Sequence, residues 1–385
     1  MVATRILLVM SIALTASLPW TAPSLQVVRD FAAFWTAARL AVAGHAADAY
    51  GNPAREALTA LFGPGTYAPF FYPPIALLIW APFALLPFAA AAVLWVGASA
   101  ASYVVAIRAI LRTRSYVPAL AFPAVMIASL YGQNSLFSAA LFGGAAATLE
   151  EYPVLAGGMI GCLAYKPQLA VLAPFALASA GRWRAFFAAA ATALGLTGLS
   201  AIAFGTPAWV AFVAALPGAE AWNANGTAGF EKFVSLYTAI RLLGGSENAG
   251  STAQGISIVL ATVALVALAR RRPGGVAEVA ILVTATGFCV PFLGQYDLVI
   301  FAVPGAWLVS EAIRTHWLPY ERATLALLYM APLAIWAGMP NGIPLAPVVL
   351  TMLALLVSRR TLRIPSIKTR SPIEVPPAHP RSGET

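Results

Sequence analysis

Apolar runs of membrane-spanning length recur along this chain of 385 residues. A helix that crosses the hydrocarbon core of a bilayer needs roughly 17 to 25 mainly apolar residues. Backbone groups in lipid must find their hydrogen-bond partners within the protein, so serial runs of this length predict an all-α polytopic membrane protein. The clearest runs are 4–22, 88–111, 154–180, 185–204, 253–269, 276–291, 297–313, 323–338 and 344–358.

Three less regular apolar stretches decide the number of helices. Residues 73–86 are short for a span and are bounded by prolines, while 116–131 and 134–149 are separated by YGQN. If all three cross, about twelve helices result, and if 73–86 is re-entrant the number falls, so we predict a bundle of about 10–12.

Serial spans pack into one body, so residues 1–360 are predicted to form a single transmembrane domain. Two long segments, at about 23–72 and 206–252, are expected on the external side and to carry interfacial helices. Residues 361–385 are rich in proline and polar side chains, which predicts a disordered cytoplasmic tail.

The placement of basic residues tests this topology, because cytoplasmic loops are enriched in Lys and Arg. The chain has 23 Lys and Arg against 14 Asp and Glu. Cytoplasmic termini place Arg182, Arg270 to Arg272 and the C-terminal arginines inside, so the basic excess indicates orientation. No basic stripe with interleaved aromatics is present, which argues against a nucleic-acid partner. Arg108, Arg112 and Arg114 come out external, which leaves two explanations open: a miscount at 73–86 or an anionic ligand.

Asp30 lies near the start of the first predicted external segment, directly before an aromatic amphipathic pattern. Phe31, Phe34 and Trp35 recur at helical spacing, which predicts an interfacial helix with its rings in the lipid headgroup layer. Two roles for Asp30 remain open. It caps this helix, or it is a carboxylate at the lipid–water boundary that takes a proton from a hydroxyl.

Lys166 lies well inside an apolar run, where a charged side chain costs roughly 2.5 to 3.5 kcal/mol. Pro167 opens the backbone beside it and Gln168 adds a second polar group. The combination predicts a kinked helix that lines a wet cavity. The alternative is a lysine that extends its charged end to the membrane surface.

Other polar side chains stand at the ends of apolar runs or in the external segments. Gln133 belongs to YGQN, which has the composition of a plain turn, and the twelve-span topology puts this turn on the inner side. Lys232 and Arg241 belong to a predicted surface helix and reach either phosphates or ordinary headgroups. The further candidates at apolar-run boundaries are Tyr72, Tyr296 and Asp297.

Several classes of function lack their sequence signatures. Neither GxxxxGK[ST] nor a strand-turn-helix GxGxxG is present, so no nucleotide site is predicted. The three histidines are scattered, which argues against a histidine metal site. A multi-pass transporter or flippase of a lipid-linked or anionic substrate, with Lys166 and Asp297 along its path, remains the alternative to an enzyme. The gathering of polar signals in the external segments favours the enzyme.

Six segments, taken in order from about residue 27 to 305, resemble glycosyltransferase family 87, whose members are polyprenol-phosphate-dependent membrane enzymes of the GT-C class. They are RDFAAFW, PFFYPPIALLIWAPFALLPF, YGQNSLF, LAGGMIGCLAYKPQLAVLAPFALASAGRWRAF, FVSLYTAIRLLG and QYDLVIFAVP. The resemblance implies a GT-C-like bundle in the bacterial inner membrane. It also implies transfer of a mannose-like hexose or a pentose from a polyprenyl-phosphate donor to a glycan or glycolipid acceptor on the external face, with inversion.

The same resemblance implies roles for particular residues. Asp30 stands where the family has its general base, and Lys166 with Gln168 matches the family's lysine-proline-glutamine element. By its charge, we assign Lys166 to the donor phosphate or to shaping its cavity. We add Tyr72, Lys232 and Arg241 as candidates for donor binding, and Gln133, Tyr296 and Asp297 are further polar site candidates.

No cofactor is expected from the resemblance, because a polyprenyl phosphate leaves as a stabilised anion. A divalent metal held by Glu150 and Glu151 is the less favoured alternative. The chain departs from actinobacterial relatives that carry histidines where it has GQYDL, and this leaves the acceptor open.

Overall fold

A computed structural model describes residues 28–63, 68–227 and 229–364. The predicted first span, 4–22, lies outside the described residues, as do residues 365–385 of the predicted tail. The described parts are helical and contain no named strand; one isolated antiparallel bridge joins Phe233 to Gly294.

The described helices are connected mainly by short turns. In chain order they are α1 (Arg29–Val42), α2 (Asn52–Phe62), α3 (Ile75–Ala84), α4 (Phe88–Leu111), α5 (Val117–Leu120), α6 (Pro123–Tyr131), α7 (Ser135–Thr148), α8 (Pro153–Cys162), α9 (Ala173–Ser179), α10 (Trp183–Phe204), α11 (Thr206–Ala224), α12 (Leu236–Leu242), α13 (Glu247–Ala269), α14 (Gly275–Cys289), α15 (Ala302–Arg314), α16 (Glu321–Gly338) and α17 (Ala346–Arg363). Short 3-10 helices are Ala46–Tyr50, Leu163–Tyr165, Pro167–Leu169, Phe230–Lys232, Gln295–Phe301 and Met339–Asn341.

Helices of membrane-spanning length recur through the described part of this bundle. In the described residues, five are long and apolar enough to cross a membrane: Phe88–Leu111, Trp183–Phe204, Glu247–Ala269, Gln295–Arg314 and Glu321–Asn341. Shorter apolar helices, including α7 and α14, pack among them. The prediction of an all-α polytopic membrane protein is confirmed.

The bundle has two ends, which we name by their charged residues. At the Arg182 end, Arg182 bonds Glu278 at 2.8 Å and Glu150 at 2.6 Å. The opposite, Asp30 end holds Asp30 and Gln133. Helix α7 runs from the Asp30 end to the Arg182 end.

Residues 154–180 do not cross the bundle, so the prediction of a span there is wrong. Helix α8 begins just after Glu150 and α9 ends just before Arg182, and these two side chains form an ion pair. The segment is therefore a re-entrant hairpin whose tip, at residues 163–170, carries Lys166. Hydropathy alone counts two apolar half-helices as one long run, because it carries no information about chain reversal.

Two glycines allow the hairpin to pack closely against α10. A Cβ atom on Gly157 would lie 2.2 Å from the Ala185 carbonyl oxygen, and one on Gly161 would lie 2.5 Å from that of Ala189. Only a residue without a side chain permits such close approach of two helix backbones. The predicted break at Pro167 is present: two 3-10 turns replace the α-helix there.

Residues 73–86 also fail to cross, so the re-entrant alternative is the correct one. Helix α3 has ten residues, and both of its flanks touch α1. On one side the rings of Phe34 and Tyr72 are 5.3 Å apart, and on the other Trp35 donates a hydrogen bond to the Leu86 carbonyl oxygen at 3.2 Å.

Helix α4 consequently starts at the Asp30 end and runs toward the Arg182 end. Its Trp95 donates a hydrogen bond to the Gly132 carbonyl oxygen at 3.1 Å. Further along α4, toward the Arg182 end, Ala106 packs on Gly143 of α7. The arginines that follow, Arg108, Arg112 and Arg114, lie at the Arg182 end. The prediction put them at the end opposite to Arg182, which is wrong because it depended on 73–86 crossing.

The two predicted external segments are more enclosed and more helical than expected. The α1 residues Phe31, Phe34 and Trp35 are 0%, 2% and 4% exposed, so these rings pack within the protein rather than face headgroups. In the second segment α11 fills 206–224, while the predicted surface helix is reduced to the short α12.

Candidate functional site

The break between α6 and α7 brings distant polar residues together. Gly132 ends α6 with φ +63°, and a Cβ there would lie 2.7 Å from that of Phe31. The backbone N–H of Val28 donates to the Leu130 carbonyl oxygen at 2.7 Å, which attaches the break to the start of α1. YGQN is therefore a turn, as predicted, but it lies at the Asp30 end and not on the opposite side.

Asp30 is the second residue of α1 and does not cap it. The N-cap position belongs to Val28, which makes no side-chain cap bond. The Asp30 carboxylate instead accepts a hydrogen bond from Gln133 Nε2 at 2.7 Å. It is half-buried, so one face of the carboxylate is anchored while the side chain keeps contact with the exterior.

Opposing effects set the proton affinity of this carboxylate. Burial raises the pKa of Asp30 above its usual value, because the ionised form loses hydration. The Gln133 hydrogen bond and the positive charges of Arg29, Lys232 and Lys166 act in the opposite direction. A carboxylate with a raised pKa that is still held by a donor is suited to accept a proton.

Lys166 is buried against Asp297, so the alternative of a lysine extended to the membrane surface is wrong. Its Nζ lies 2.6 Å from Asp297 Oδ1 and 3.2 Å from Asn134 Oδ1. The Ser135 hydroxyl donates to the same Asp297 oxygen at 2.7 Å. Lys166 and Asp297 are 4% and 2% exposed, and their opposite charges compensate each other inside the bundle.

Asp297 in turn fixes the loop that follows α14. The backbone N–H of Gly294 donates to Asp297 Oδ2 at 3.3 Å, which closes the first turn of Gln295–Phe301. Gly294 also pairs with Phe233, and the Val234 N–H donates to the Leu293 carbonyl oxygen at 2.8 Å. These contacts hold the segment with Lys232 beside the site.

Two tyrosines border the charged groups. The Tyr72 hydroxyl lies 3.5 Å from Gln133 Oε1, at the limit of a hydrogen bond. Burial and then the charge of Asp297 raise the pKa of Tyr72 well above its usual value, so its phenol remains a proton donor. The Tyr296 ring lies 5.6 Å from Lys166 Nζ and 5.8 Å from the ring of Tyr131.

Two of the predicted donor-binding residues lie apart from this cluster. Gln168 is exposed at the tip of the α8–α9 hairpin. Arg241 bonds the Tyr237 hydroxyl at 3.1 Å and lies 3.9 Å from Glu247. The structure therefore joins Asp30, Gln133, Tyr72, Lys166, Tyr296 and Asp297, with Lys232 on the adjoining segment.

Several polar residues of the cluster were not predicted. Asn134, Ser135 and Ser138 lie on the first turns of α7, and Ser138 shares a 2.6 Å hydrogen bond with Tyr165. Asn134 Nδ2 and Gln295 Oε1 are buried and have no hydrogen-bond partner among the described residues. A signal was available: small polar side chains at helical spacing directly after YGQN mark one polar face on an apolar helix.

The residues suggested for a metal do not lie near Asp30. Glu150 is at the Arg182 end, where it accepts bonds from Arg182 and from the Gly275 backbone N–H at 3.0 Å. In the described parts of the chain, no group of three or more His, Cys, Asp or Glu side chains is placed to hold a metal ion.

The fold and this cluster define a polytopic helical membrane protein with a polar, charge-paired site at one end of its bundle. The sequence model of glycosyltransferase family 87 matches residues 70–293, more than half of the chain. This chain therefore belongs to glycosyltransferase family 87 and is a membrane glycosyltransferase. No curated protein and no solved structure matches it. The matched region includes Tyr72, Gln133 and Lys166 but neither Asp30 nor Asp297, so the case for those two rests on their geometry.

Proposed function

We propose that this glycosyltransferase moves a mannose-like hexose or a pentose from a polyprenyl-phosphate donor to a hydroxyl of a glycan or glycolipid, with Asp30 as general base. The observation that carries the proposal is the half-buried Asp30 carboxylate, anchored by Gln133 at 2.7 Å beside cationic groups. A lipid-linked donor stays in the bilayer, so its base has to lie at the edge of the helical bundle.

The proposed reaction is a single displacement. The acceptor oxygen forms a bond to the anomeric carbon as the bond between that carbon and the phosphate oxygen breaks. The electron pair of the broken bond stays on the phosphate oxygen, and the hydroxyl proton passes to Asp30. Attack from the face opposite the phosphate inverts the anomeric centre. Nearby cations stabilise the charge that develops on the phosphate.

The remaining site residues support this reaction in different ways. Tyr72 keeps its proton and lies near Gln133, where it can donate to the donor phosphate or sugar. Lys166 shapes the cavity through its pair with Asp297, and Tyr296 packs beside that pair. Gln168 and Arg241, outside the cluster, contact the donor along its path into the site.

The distribution of charge supports a membrane orientation for the proposed enzyme. Arg108, Arg112 and Arg114 lie at the same end of the bundle as Arg182, and the enrichment of basic residues on the cytoplasmic side assigns this end to the cytoplasm. Asp30 then faces the exterior of a bacterial inner membrane, with both termini inside.

The chemistry of the leaving group supports a reaction without a nucleotide, cofactor or metal. A polyprenyl phosphate departs as a stabilised anion, and the proton is taken by a carboxylate. We expect the purified enzyme to keep its transfer rate after treatment with EDTA. A rate restored only by added divalent cation would contradict this part of the proposal.

The test uses purified protein in lipid with labelled polyprenyl-phosphate mannose, glucose and arabinofuranose. Asp30→Asn should lower the transfer rate by about 10²- to 10⁴-fold, the usual contribution of general acid–base catalysis. Asp48→Asn is the matched control, because Asp48 lies in the same external segment with a 44% exposed side chain and pairs only with His45 among described residues. Equal rates in wild type and Asp30→Asn would remove Asp30 as the base.

A further inference from the structure

An apolar groove lies between α13, α14 and α17, and none of the residues joined around Asp30 lines it. Its volume is about 450 Å³, and its lining includes Leu260, Ala264 and Leu268 of α13, Ile281 of α14 and Val357 of α17. Leu260 is exposed and lies midway along a helix of membrane-spanning length. The groove therefore opens toward the hydrocarbon of the bilayer.

Two hydroxyl groups in this lining are bonded to backbone carbonyl groups. Ser257 donates to the Phe288 carbonyl oxygen at 3.0 Å, and Thr284 donates to the Ala280 carbonyl oxygen at 2.7 Å. Because these hydroxyl groups already have their partners, hydrocarbon can fill the groove without leaving them unbonded.

Arginines stand where the groove reaches the Arg182 end of the bundle. Leu268 is the last α13 residue of the lining, and Arg270, Arg271 and Arg272 follow this helix directly. The Arg271 backbone N–H donates to the Leu268 carbonyl oxygen at 3.1 Å, and its guanidinium donates to the Leu362 carbonyl oxygen of α17 at 3.4 Å. Arg271 thus joins the ends of two helices that border the groove.

The positive charge at this place is not neutralised by acids of the described chain. No ion pair among the described residues includes any of the three arginines after α13, whereas Arg182 and Arg360, at the same end, both pair with glutamates. The Nε atom of Arg271 is buried and has no hydrogen-bond partner in the described parts of the chain. A guanidinium partly removed from water without an acid is stabilised by an anion.

The length of the groove suits a chain of the bilayer. Ile256 and Leu268 both line it and are twelve positions apart on α13, which corresponds to about 18 Å along the helix axis. A lipid chain from one leaflet spans about half of the roughly 30 Å hydrocarbon core. The groove is therefore long enough to hold one such chain.

We propose that an anionic phospholipid binds at this place, with its phosphate at Arg271 and one acyl chain in the groove between α13, α14 and α17. Hydrocarbon matches the lining, and negative charge matches the arginines at its end, as in basic pockets between membrane helices that bind lipid headgroups. The occupant is a phospholipid rather than the donor, because Arg271 lies at the opposite end of the bundle from Asp30. The site goes beyond the proposed transfer reaction, and its test needs no turnover.

The test is thermal unfolding of the purified full-length protein in detergent, titrated with phosphatidylglycerol or with phosphatidylcholine of the same chains. A ligand that binds only the folded protein raises its Tm, so phosphatidylglycerol should give a saturable rise and the uncharged phosphatidylcholine a smaller one. Arg271→Gln should raise the phosphatidylglycerol concentration at the half-maximal effect about fivefold, the usual contribution of one basic residue at an anionic lipid surface. The matched control is Arg322→Gln at the same end, exposed and stacked over Trp317 at 4.9 Å, which should stay within twofold of the wild type.

A second pair of variants tests the groove itself. Ala264→Trp places a large ring in the lining, whereas Val263→Trp places the same ring at an exposed neighbouring position that does not line the groove. We expect Ala264→Trp alone to weaken the response to phosphatidylglycerol. If Ala264→Trp fails to fold, Arg271→Gln still decides the question, because its side chain lies outside the apolar lining.

Three results would overturn the inference. One is an equal rise in Tm with both phospholipids, or an equal response of wild type and Arg271→Gln, since the charge would then have no effect. Another is a rise reproduced by inorganic phosphate alone, which would show a surface anion site in place of a lipid site. The third is a higher donor KM in Ala264→Trp but not in Val263→Trp, with the response to phosphatidylglycerol intact, which would assign the groove to the prenyl chain of the donor.

Discussion

The pairing of side chains across long sequence distances determines how this site works. Gln133 Nε2 donates to Asp30 across 103 positions, and Lys166 meets Asp297 across 131. Gln133 also accepts the Asn134 backbone N–H on its Oε1 at 3.2 Å, so its amide has a fixed orientation. The backbone of the break therefore orients the Gln133 amide that donates a hydrogen bond to Asp30.

Removing the Gln133 amide should move the acid limb of the pH–rate profile to higher pH. The Gln133 hydrogen bond favours the ionised form of Asp30 and so lowers its pKa against the effect of burial. Without the bond the pKa rises further, and a base must be deprotonated to act, so Gln133→Leu should lose activity first on the acidic side. The profile of kcat/KM against pH measures the shift.

A matched control is Gln168→Leu, which removes an exposed amide that does not contact Asp30. Its acid limb should coincide with that of the wild type, whatever its rate. A Gln133→Leu limb that also coincides with the wild type would show that the hydrogen bond does not tune the base.

Single residues of the site were predictable, but their partners were not. Asp30, Lys166 and Asp297 are conspicuous because charge is rare in apolar surroundings and costly there. Asn134 and Ser135 are small polar residues of a kind that also occurs in ordinary turns, so their helical spacing after YGQN is a weaker signal than a charge. Which acid compensates Lys166 depends on the tertiary fold alone.

At the scale of elements, the α8–α9 hairpin is the feature that places Lys166. It reverses direction at residues 163–170 and returns to the Arg182 end, where Arg182 bridges Glu150 and Glu278. Its first helix packs along α10 through glycine, so the depth of Lys166 is set by a backbone contact. The kink was predictable from Pro167, whereas the reversal follows from packing.

Enlarging a contact glycine should therefore loosen the hairpin. A Cβ at Gly157 would lie 2.2 Å from the Ala185 carbonyl oxygen, so Gly157→Ala should destabilise the protein by about 1–3 kcal/mol through overpacking. Thermal or denaturant unfolding in detergent measures the effect.

The neighbouring Gly158 supplies the control. Its added Cβ would meet only the Thr192 hydroxyl, at 3.7 Å, so Gly158→Ala should be neutral or slightly stabilising through better helix propensity. Similar stability of the two variants would show that α8 does not pack closely on α10.

At the scale of the whole molecule, two predicted crossings are absent and their errors cancel. Because 73–86 does not cross, the elements between it and 154–180 lie at the opposite end of the bundle from the one predicted. Because 154–180 does not cross either, the predicted and observed ends agree again from α10 onward. The interval between them contains Arg108, Arg112, Arg114 and YGQN, which are the features that were placed at the wrong end. Hydropathy thus predicts the fold class, while the end of the bundle at which this interval lies follows only from the tertiary contacts.

This corrected path predicts which positions are accessible from outside an intact cell. In a full-length chain with Cys162 and Cys289 replaced by alanine, a cysteine in place of the exposed His45 should react with a membrane-impermeant maleimide. A cysteine in place of the exposed Arg114 should react only after the membrane is permeabilised, because α4 carries it to the Arg182 end. Labelling of both positions in intact cells would contradict the orientation proposed for the enzyme. It would also restore an anionic ligand as the explanation for the arginines after α4, because they would then lie on the side where the donor is used.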